Sequence, residues 1–267
     1  MRNAAGTPRR AGTPNPRRLR QGLDIALLIV GIMAVWQLLY LAVGDIALAS
    51  PWRTITAAAG MLGSPDFWPH LAETGFAFLR GYVIAVVAGV AIGLLLGVHR
   101  LSGDVAEPIL VALYSIPKIT LYPIILLVFG IGMSAKVAFG ALHGIVPIVI
   151  FSMNAMRNVD PVYLQTSRVL RLSPLALART ILIPATVPEI FTGLRVGFAL
   201  TLVGTLMGEM FGSQRGLGYL LMQAIGVHDM EAILSVSLIL VSFTVAVSVI
   251  MMYFDRRLHG RAVGYTL

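Results

Sequence analysis

Long apolar runs constrain the fold of this sequence more than any other feature. A helix needs about 20 consecutive apolar residues to cross the hydrocarbon core of a bilayer. Only 12% of the residues are charged, whereas a typical soluble domain carries about 25%. The sequence therefore predicts an all-α membrane protein, in which six transmembrane helices form one domain within a lipid bilayer. The predicted spans are residues 25–43, 77–98, 105–131, 137–153, 187–211 and 232–254.

The distribution of lysine and arginine predicts how these spans are oriented. Fourteen of the 20 basic residues fall on one side of the membrane, and three fall on the other, at Arg53, Lys136 and Arg215. Because basic residues concentrate in cytoplasmic loops, both termini are predicted to be cytoplasmic. The net charge of +8 then reflects orientation, and no nucleic-acid partner is expected. Residues 1–23 hold six arginines among small and polar residues, which is typical of a disordered cytoplasmic tail.

The first span has one alternative interpretation. Ala47-Leu48-Ala49 resembles the cleavage site of a signal peptide, but the apolar run before it is longer than the usual signal core of about 7–15 residues. A membrane span is therefore favoured. Three segments are predicted on the outer side: 44–76 with a short surface helix, the tight turn 132–136 and the loop 212–231.

Two sets of glycines recur at four-residue spacing within the spans, which predicts helix faces that pack closely. The first set lies in the second span and comprises Gly89, Gly93 and Gly97. The second set lies in the fifth span and comprises two such pairs, Gly193 with Gly197 and Gly204 with Gly208. For the second set two alternatives stay open, which are packing within the chain and a dimer seam around a pore.

The third span contains Pro108, Pro117 and Pro123, which predict kinks because each proline removes a helical hydrogen bond. Lys118 lies beside Pro117, deep in the span, where a charge is costly unless it faces protein or water. One interpretation makes Lys118 a residue of a transport pathway that favours anions. The alternative is a structural pairing with a carboxylate or with a carbonyl at a helix break.

Three further ionisable residues lie within spans. Arg80 is predicted to extend its charged end toward the membrane surface. Arg195 and Glu209 lie on the same span, roughly 20 Å apart at the helical rise per residue, so they cannot pair with each other. Each is predicted to order a helix end.

The longest polar interruption runs over 154–188 and carries four arginines but no lysine. Asp160-Pro161 is a helix start, because the carboxylate caps free amides and proline suits the first helical position. Ser173-Pro174 repeats this signal. A helix of about eleven residues is therefore predicted, followed by a second one that returns to the membrane.

The first of these two helices is predicted to have a largely apolar face. Its members are Val162, Tyr163, Thr166, Val169 and Leu170. Two alternatives stay open for this face, namely docking onto a partner and lying on the membrane surface without one. The second helix is predicted over 174–183, where Pro184 and Pro188 stop or kink it.

No pattern in the sequence predicts catalysis or a metal site. There are no cysteines, the five histidines are scattered, and His-Glu-x-x-His is absent. The phosphate-binding loop Gly-x-x-x-x-Gly-Lys-Ser/Thr is absent as well. The chain is therefore predicted to be no enzyme and to hold no metal or cofactor. Any ATP must be handled by another chain.

Three blocks of sequence stand out beyond these patterns. They read IPKI to FGIG over 116–132, ILIP at 181–184, and TGLR through GEM to GLGY over 192–219. Together they resemble the permease subunit of ATP-binding-cassette importers, in the branch for nitrate, sulfonate and taurine.

The resemblance implies a type I importer permease fold in the cytoplasmic (inner) membrane. The importer transmembrane domain is then expected at 70–255. A first transmembrane helix and an extracytoplasmic segment are expected at 24–69, and a cytoplasmic tail at 256–267.

In that family the cytoplasmic loop carries a Glu-Ala-Ala motif followed by a glycine, and its helix couples the permease to the ATPase. The matching positions of this chain are Gln165, Thr166, Ser167 and Arg171, so the spacing agrees while the residue types differ. The implied coupling helix comprises Val162, Tyr163, Gln165, Thr166, Ser167, Val169, Leu170 and Arg171.

The resemblance also implies the partners and the mechanism. The partners are two ATPase subunits, which hold ATP and Mg²⁺, a second copy of the permease and an extracytoplasmic solute-binding protein. The implied function is import of a small anion, such as a sulfonate, taurine or nitrate, or of a related organic solute, by alternating access. A self-sufficient secondary transporter or channel is the alternative.

Overall fold

The structure is a computed structural model that describes residues 16–45 and 47–263. Within these residues the chain forms α-helices and no β-strand, which confirms the predicted all-α fold. The helices are α1 (Pro16–Val43), α2 (Pro51–Gly63), α3 (Phe67–Val98), α4 (Arg100–Ser115), α5 (Tyr122–Phe129), α6 (Met133–Arg157), α7 (Pro161–Val169), α8 (Pro174–Leu177), α9 (Ile183–Gly212), α10 (Leu217–Gly226) and α11 (Met230–Val263). A 3₁₀ turn at Lys118–Leu121 precedes α5, and a π-helical turn at Ala178–Leu182 joins α8 to α9.

Five helical stretches are long and apolar enough to cross a membrane, and they lie in α1, α3, α6, α8 with α9, and α11. A sixth stretch consists of α4 and Lys118–Phe129, which pass the same test together but are bent by 84°. With this bent pair counted as one span, the prediction of six transmembrane helices is confirmed. The break falls at Pro117, because its ring and its missing amide hydrogen prevent α4 from continuing.

Helix α6 lies at the centre of the bundle, between α3 and α9. Its apolar stretch is 61% buried, against 28% in α3 and 39% in α8 with α9. On the α3 side, a Cβ atom at Gly93 would lie 2.6 Å from both Ser152 Cβ and Val149 O. Because glycine carries no side chain, the two helix backbones approach closely there.

The second set of glycines faces α6 from the other side. A Cβ atom at Gly197 would lie 2.5 Å from Ile148 Cγ1, and one at Gly204 would lie 2.7 Å from His143 Nδ1. Gly193 lies against Phe151, and Gly208 lies against Lys136. All four glycines therefore pack within the chain. Helices α3, α6 and α9 form one tightly packed layer, named here the central layer.

Helix α5 packs across one end of the central layer. Tyr122 and Ile125 of α5 form an apolar cluster with Ala135 and Phe139 of α6. The Tyr122 hydroxyl donates a hydrogen bond to Gly208 O of α9 at 2.7 Å. The segment beyond the break is therefore anchored to two helices of the central layer.

The first two spans begin earlier in the structure than the sequence predicts. Helix α3 begins at Phe67 instead of residue 77, so the outer segment predicted at 44–76 is shorter. Pro69 lies in the first turn of α3, where its missing amide hydrogen costs nothing. Helix α1 begins at Pro16, inside the predicted tail, and residues 1–15 of that tail lie outside the described residues.

Near the carboxyl end, the structure adds a helix and lengthens another. The loop predicted at 212–231 contains the ten-residue helix α10. Helix α11 continues to Val263, into the tail predicted at 256–267, whose last four residues the structure does not describe. The apolar pattern predicted the core of this last span but not the polar turns that extend it.

Candidate functional site

Helix α7 is a short helix with well-defined ends between α6 and α9. At its start, Asp160 Oδ1 accepts a hydrogen bond from Val162 N at 2.8 Å, as the Asp-Pro signal predicts. At its end, Arg171 N donates to Arg168 O at 3.1 Å, and Leu172 N donates to Ser167 O at 3.0 Å. This pair of bonds is a Schellman motif, which requires a left-handed residue at Arg171. Arg171 has a φ of 49°, so it adopts at this position the conformation that glycine favours.

The predicted apolar face of α7 points away from the protein. The exposed fraction is 82% at Val169 and 62% at Leu170. Val162 and Tyr163 are exposed on the same face. Ser167 is buried on the side that faces the bundle. A helix of nine residues thus presents a contiguous apolar surface that no described residue covers.

The remaining predicted coupling residues differ in their surroundings. Gln165 and Thr166 are exposed, and the Thr166 hydroxyl donates to Val162 O at 2.8 Å within the helix. The Ser167 hydroxyl donates to Leu164 O at 2.8 Å. The structure therefore brings the predicted residues together on one short element. Ser167 supports the inner side of that element, while the other predicted positions are exposed.

The chain returns to the membrane directly after α7. Ser173 Oγ accepts a hydrogen bond from Ala176 N at 3.3 Å and so begins α8, as predicted. Of the predicted stop or kink at Pro184 and Pro188, the stop is wrong, because α8, the π-helical turn and α9 form one continuous span. The π-helical turn at Ala178–Leu182 lies just before Pro184, where a proline disrupts regular helical hydrogen bonding. Helix α7 is therefore linked along the chain to α6 on one side and to α9 on the other.

A buried ionic cluster lies at the opposite end of the bundle. Lys136 was predicted in an outer turn, but this prediction is wrong, because it belongs to α6 and its side chain is only 1% exposed. Lys136 Nζ donates to Glu73 Oε1 and to Arg215 O, both at 2.9 Å. Glu209 Oε1 lies 3.9 Å from Lys136 Nζ, and the Glu209 side chain is fully buried.

The helix end that Glu209 orders is the start of α10. Gly218 N donates to Glu209 Oε2 at 2.9 Å, and Leu217 N donates to Thr74 Oγ1 at 2.8 Å. The Thr74 hydroxyl in turn donates to the Glu209 carboxylate. Gly216 N donates to His70 Nδ1 at 3.1 Å. Side chains of α3 and α9 therefore satisfy the free amides of α10, which the helix itself cannot do.

Sequence reasoning missed this cluster, although one signal for it exists. An acidic residue inside an apolar span, such as Glu209, needs a buried partner because bare charges are costly in lipid. The sequence contains only two lysines, Lys118 and Lys136. Lys136 could have been proposed as the partner if the fourth span had been extended towards its start.

The other ionisable residues of the spans lie outside this ionic cluster. Lys118 Nζ donates to Tyr114 O at 3.1 Å and lies 5.2 Å from the centre of the Tyr114 ring. It therefore binds a carbonyl at the helix break. Arg195 Nη1 lies 3.8 Å from Asp255 Oδ2. Arg80 is exposed on α3. In the part of the chain that the structure describes, no group of three or more His, Asp or Glu side chains could hold a metal ion.

The fold, with its exposed helix between two spans, is found in a known class of membrane protein. The fold is similar to that of an importer permease of type I, solved in inward-facing conformations of the MetNI methionine ABC transporter. The similarity covers 72% of this chain and 93% of that chain, with a TM-score of 0.58 and 23% sequence identity.

Sequence comparison gives the family. Residues 85–262 match the family described as the binding-protein-dependent transport system inner membrane component, and the chain belongs to this family. The chain is 32% identical to the nitrate import permease protein NrtB of Synechocystis sp. (strain ATCC 27184 / PCC 6803 / Kazusa), over 81% of this chain and 82% of that protein. It is also 32% identical to the putative aliphatic sulfonates transport permease protein SsuC of Escherichia coli (strain K12), over 73% of this chain and 75% of that protein. The resemblance stated from the three sequence blocks is thereby confirmed.

Proposed function

We propose that this chain is the permease subunit of an ATP-driven importer and that α7 docks onto the ATPase. The observation that carries the proposal is the exposed apolar face of α7 on a helix fixed at both ends. Each aliphatic side chain removed from water contributes about 1.5–3 kcal/mol. A partner that covers Val169 and Leu170 would gain this free energy without first having to order the helix.

ATP would be hydrolysed on separate subunits. The sequence contains no Gly-x-x-x-x-Gly-Lys-Ser/Thr loop that could hold the phosphates of a nucleotide. Two ATPase subunits, each with ATP and Mg²⁺, would serve two copies of this permease, which together form the translocation pathway. The excess of basic residues on the side of α7 supports a cytoplasmic position for α7 and for both termini.

Transport would follow alternating access. Closure of the two ATPase subunits on ATP displaces α7, and α7 passes the displacement to α6 and α9, between which it is inserted. The ATPase can drive this change only because it contacts α7 differently in the open and closed states. The pathway then opens to one side of the membrane at a time.

The proposed substrate class is a small anion delivered by an extracytoplasmic solute-binding protein. Relatives named for nitrate and for aliphatic sulfonates support this class. Lys118, at the break of the bent span, is the candidate pathway residue that would attract an anion.

The experiment is to purify the chain from its native membrane with all bound proteins and to reconstitute the complex into vesicles. We expect an ATPase subunit to co-purify, and we expect uptake only when ATP is supplied to the ATPase. Mass spectrometry of the small molecule held by the co-purified binding protein would identify the substrate. Uptake by the permease chain alone would contradict the proposal and would favour a self-sufficient secondary transporter.

A further inference from the structure

A second ionic cluster lies at the carboxyl end of α6, at the end of the bundle that carries α7. Arg157 Nη1 donates to Glu107 Oε2 at 2.8 Å, and Arg157 Nη2 donates to Asp104 Oδ1. Asp104 and Glu107 lie one helical turn apart on α4, so they face the same way. One guanidinium group therefore binds two carboxylates of a neighbouring helix.

The surroundings of Arg157 distinguish it from an ordinary surface ion pair. Exposed pairs contribute little because two flexible side chains must be held in one geometry. Arg157 is only 21% exposed, and its stem lies against Gly103, where a Cβ atom would come within 2.9 Å of Arg157 Cδ. A planar guanidinium that is already held in place loses little freedom when it binds two acceptors. The cluster therefore fixes α4 relative to the end of α6.

Helices α4 and α7 face each other across an open space. A cavity of about 690 Å³ lies between them, and its walls include Glu107, Arg157, Pro161 and Leu164. The ionic cluster lies beside this cavity and links α4 to the chain segment that leads into α7.

The linker between Arg157 and α7 is short and capped at both ends. Asn158 N donates to Asn154 O at 2.9 Å and closes α6, and Asp160 caps the start of α7. Only three residues separate Arg157 from Pro161. A displacement of α7 would therefore move Arg157 as well.

On its other side, α4 leads to the 84° break before α5. Tyr122 anchors α5 to α9 beyond the break. Helix α4 is thus held at one end by Arg157 and at the other by a bend that follows Pro117. When Arg157 moves the first part of α4, the helix turns about the bend at its last residue and so changes its angle.

We propose that Arg157 is the positioning residue that passes the movement of α7 to α4, through Asp104 and Glu107. Helix α4 is the first half of the bent span, named here the broken span, whose second half is Lys118–Phe129. The proposal rests on the proposed function, because it takes the ATPase as the source of the movement. Helix α4 then turns about the bend relative to α5, which Tyr122 holds to α9. The broken span, which contains Lys118, thereby opens or closes the pathway.

The test uses the complete complex with Arg157→Gln, and Arg100→Gln in the first residue of α4 is the matched control. We expect Arg157→Gln to bind the ATPase and to hydrolyse ATP at the normal rate, while ATP-driven uptake falls about tenfold or more. Arg157→Lys should recover part of the uptake, because an ammonium group still binds one carboxylate. Arg100→Gln should transport normally. Normal uptake by Arg157→Gln would overturn the proposal.

A distance measurement shows whether Arg157 transmits movement to α4 or only stabilises the fold. The chain has no cysteine, so Leu101→Cys in α4 and Leu127→Cys in α5 provide two unique labelling sites, and both residues are exposed. We expect the distance between the labels to change when ATP binds to the complex. Arg157→Gln should abolish this change, and a change that persists would overturn the proposal.

Variants on α4 test the proposal independently, in case Arg157→Gln does not fold. Asp104→Asn with Glu107→Gln removes the same contacts at half-exposed positions. This double variant should also hydrolyse ATP without transporting, and normal transport would contradict the proposal. Failure of the unaltered chain to bind any ATPase would instead overturn the proposed function itself, so the two failures are distinguishable.

Discussion

Lys136 Nζ lies 3.9 Å from Glu209 Oε1, and the two side chains are 1% and 0% exposed. Lys136 belongs to α6 and Glu209 to α9, so the pair joins two helices of the central layer inside an apolar bundle. Removal of one member of a buried pair leaves the other charge uncompensated, which costs about 3–5 kcal/mol. Glu209 also holds the first amides of α10, so its position decides where α10 begins.

The first prediction concerns this pair. Lys136→Met should lower the free energy of unfolding by about 3–5 kcal/mol, measured by thermal unfolding in detergent. Lys136→Met combined with Glu209→Gln should be less damaging than the sum of the single changes, because the fully buried carboxylate is then removed together with its partner and only the partly exposed Glu73 loses a contact. The control is Arg53→Met, whose pair with Asp45 is more than half exposed and contributes less than about 1 kcal/mol. Equal effects of Lys136→Met and Arg53→Met would contradict the prediction.

The pair also shows where sequence reasoning ends. Apolar length predicted every span, because each span satisfies its own backbone hydrogen bonds and its length is a local property. A contact such as that between Lys136 and Glu209 joins two different spans, and it depends on how the helices pack. The helix starts at Asp160 and Ser173 were predictable for the same reason as the spans. Each cap is a local feature, because it bonds to an amide only two or three residues away.

The second prediction concerns the close contact of α3 with α6. Gly93→Ala should destabilise the protein by about 1–3 kcal/mol, because the new methyl group would lie 2.6 Å from Val149 O, a backbone atom that cannot rotate away. Gly75→Ala in the same helix is the control, since no atom lies within 4 Å of that position. It should be neutral or stabilising by up to about 1 kcal/mol. Thermal unfolding measures both, and similar losses would contradict the packing.

The glycine spacing predicted that faces would pack closely, but it could not identify the partner helix. Gly93 and Gly197 both face α6, from opposite sides, and a four-residue spacing is the same for either neighbour. Only the structure shows that α6 contacts both helices. The small residues of α6 at its contacts, Gly140 and Gly144, favour close packing, but they do not identify the neighbouring helices either.

The third prediction concerns the end of α7. A left-handed conformation costs an L-residue about 1–2 kcal/mol, and Arg171 adopts it with a φ of 49°. Arg171→Gly should therefore stabilise α7, by up to about 1 kcal/mol after the greater chain freedom of glycine is subtracted. Arg168→Gly lies within the helix and should destabilise it by about 1 kcal/mol. Hydrogen exchange at the Leu172 amide, which bonds to Ser167 O, measures both changes. Equal loss of protection in both variants would contradict this account.

The fourth prediction separates the two interpretations of Lys118. If Lys118 lies in the pathway, Lys118→Gln should reduce uptake of an anionic solute severalfold and leave the unfolding temperature unchanged. If its bond to Tyr114 O is structural, the unfolding temperature should fall, because a helix-break carbonyl loses its donor. We expect the first result. Arg80→Gln, at an exposed position of α3, is the control for a general loss of positive charge. An equal loss of uptake in both variants would contradict a specific role of Lys118.

The last prediction tests the docking face of α7. Val169→Asp with Leu170→Asp places two charges where the proposal puts an apolar contact, and both residues are more than 60% exposed, so the fold should tolerate the change. The double variant should insert normally but lose ATPase co-purification and transport. Two apolar contacts of about 1.5–3 kcal/mol each correspond to at least a hundredfold in affinity. The matched control is Ile225→Asp with Val227→Asp, which lie exposed at the opposite end of the bundle and should leave ATPase binding intact. If the ATPase stays bound to the α7 variant and transport persists, α7 is not the docking element.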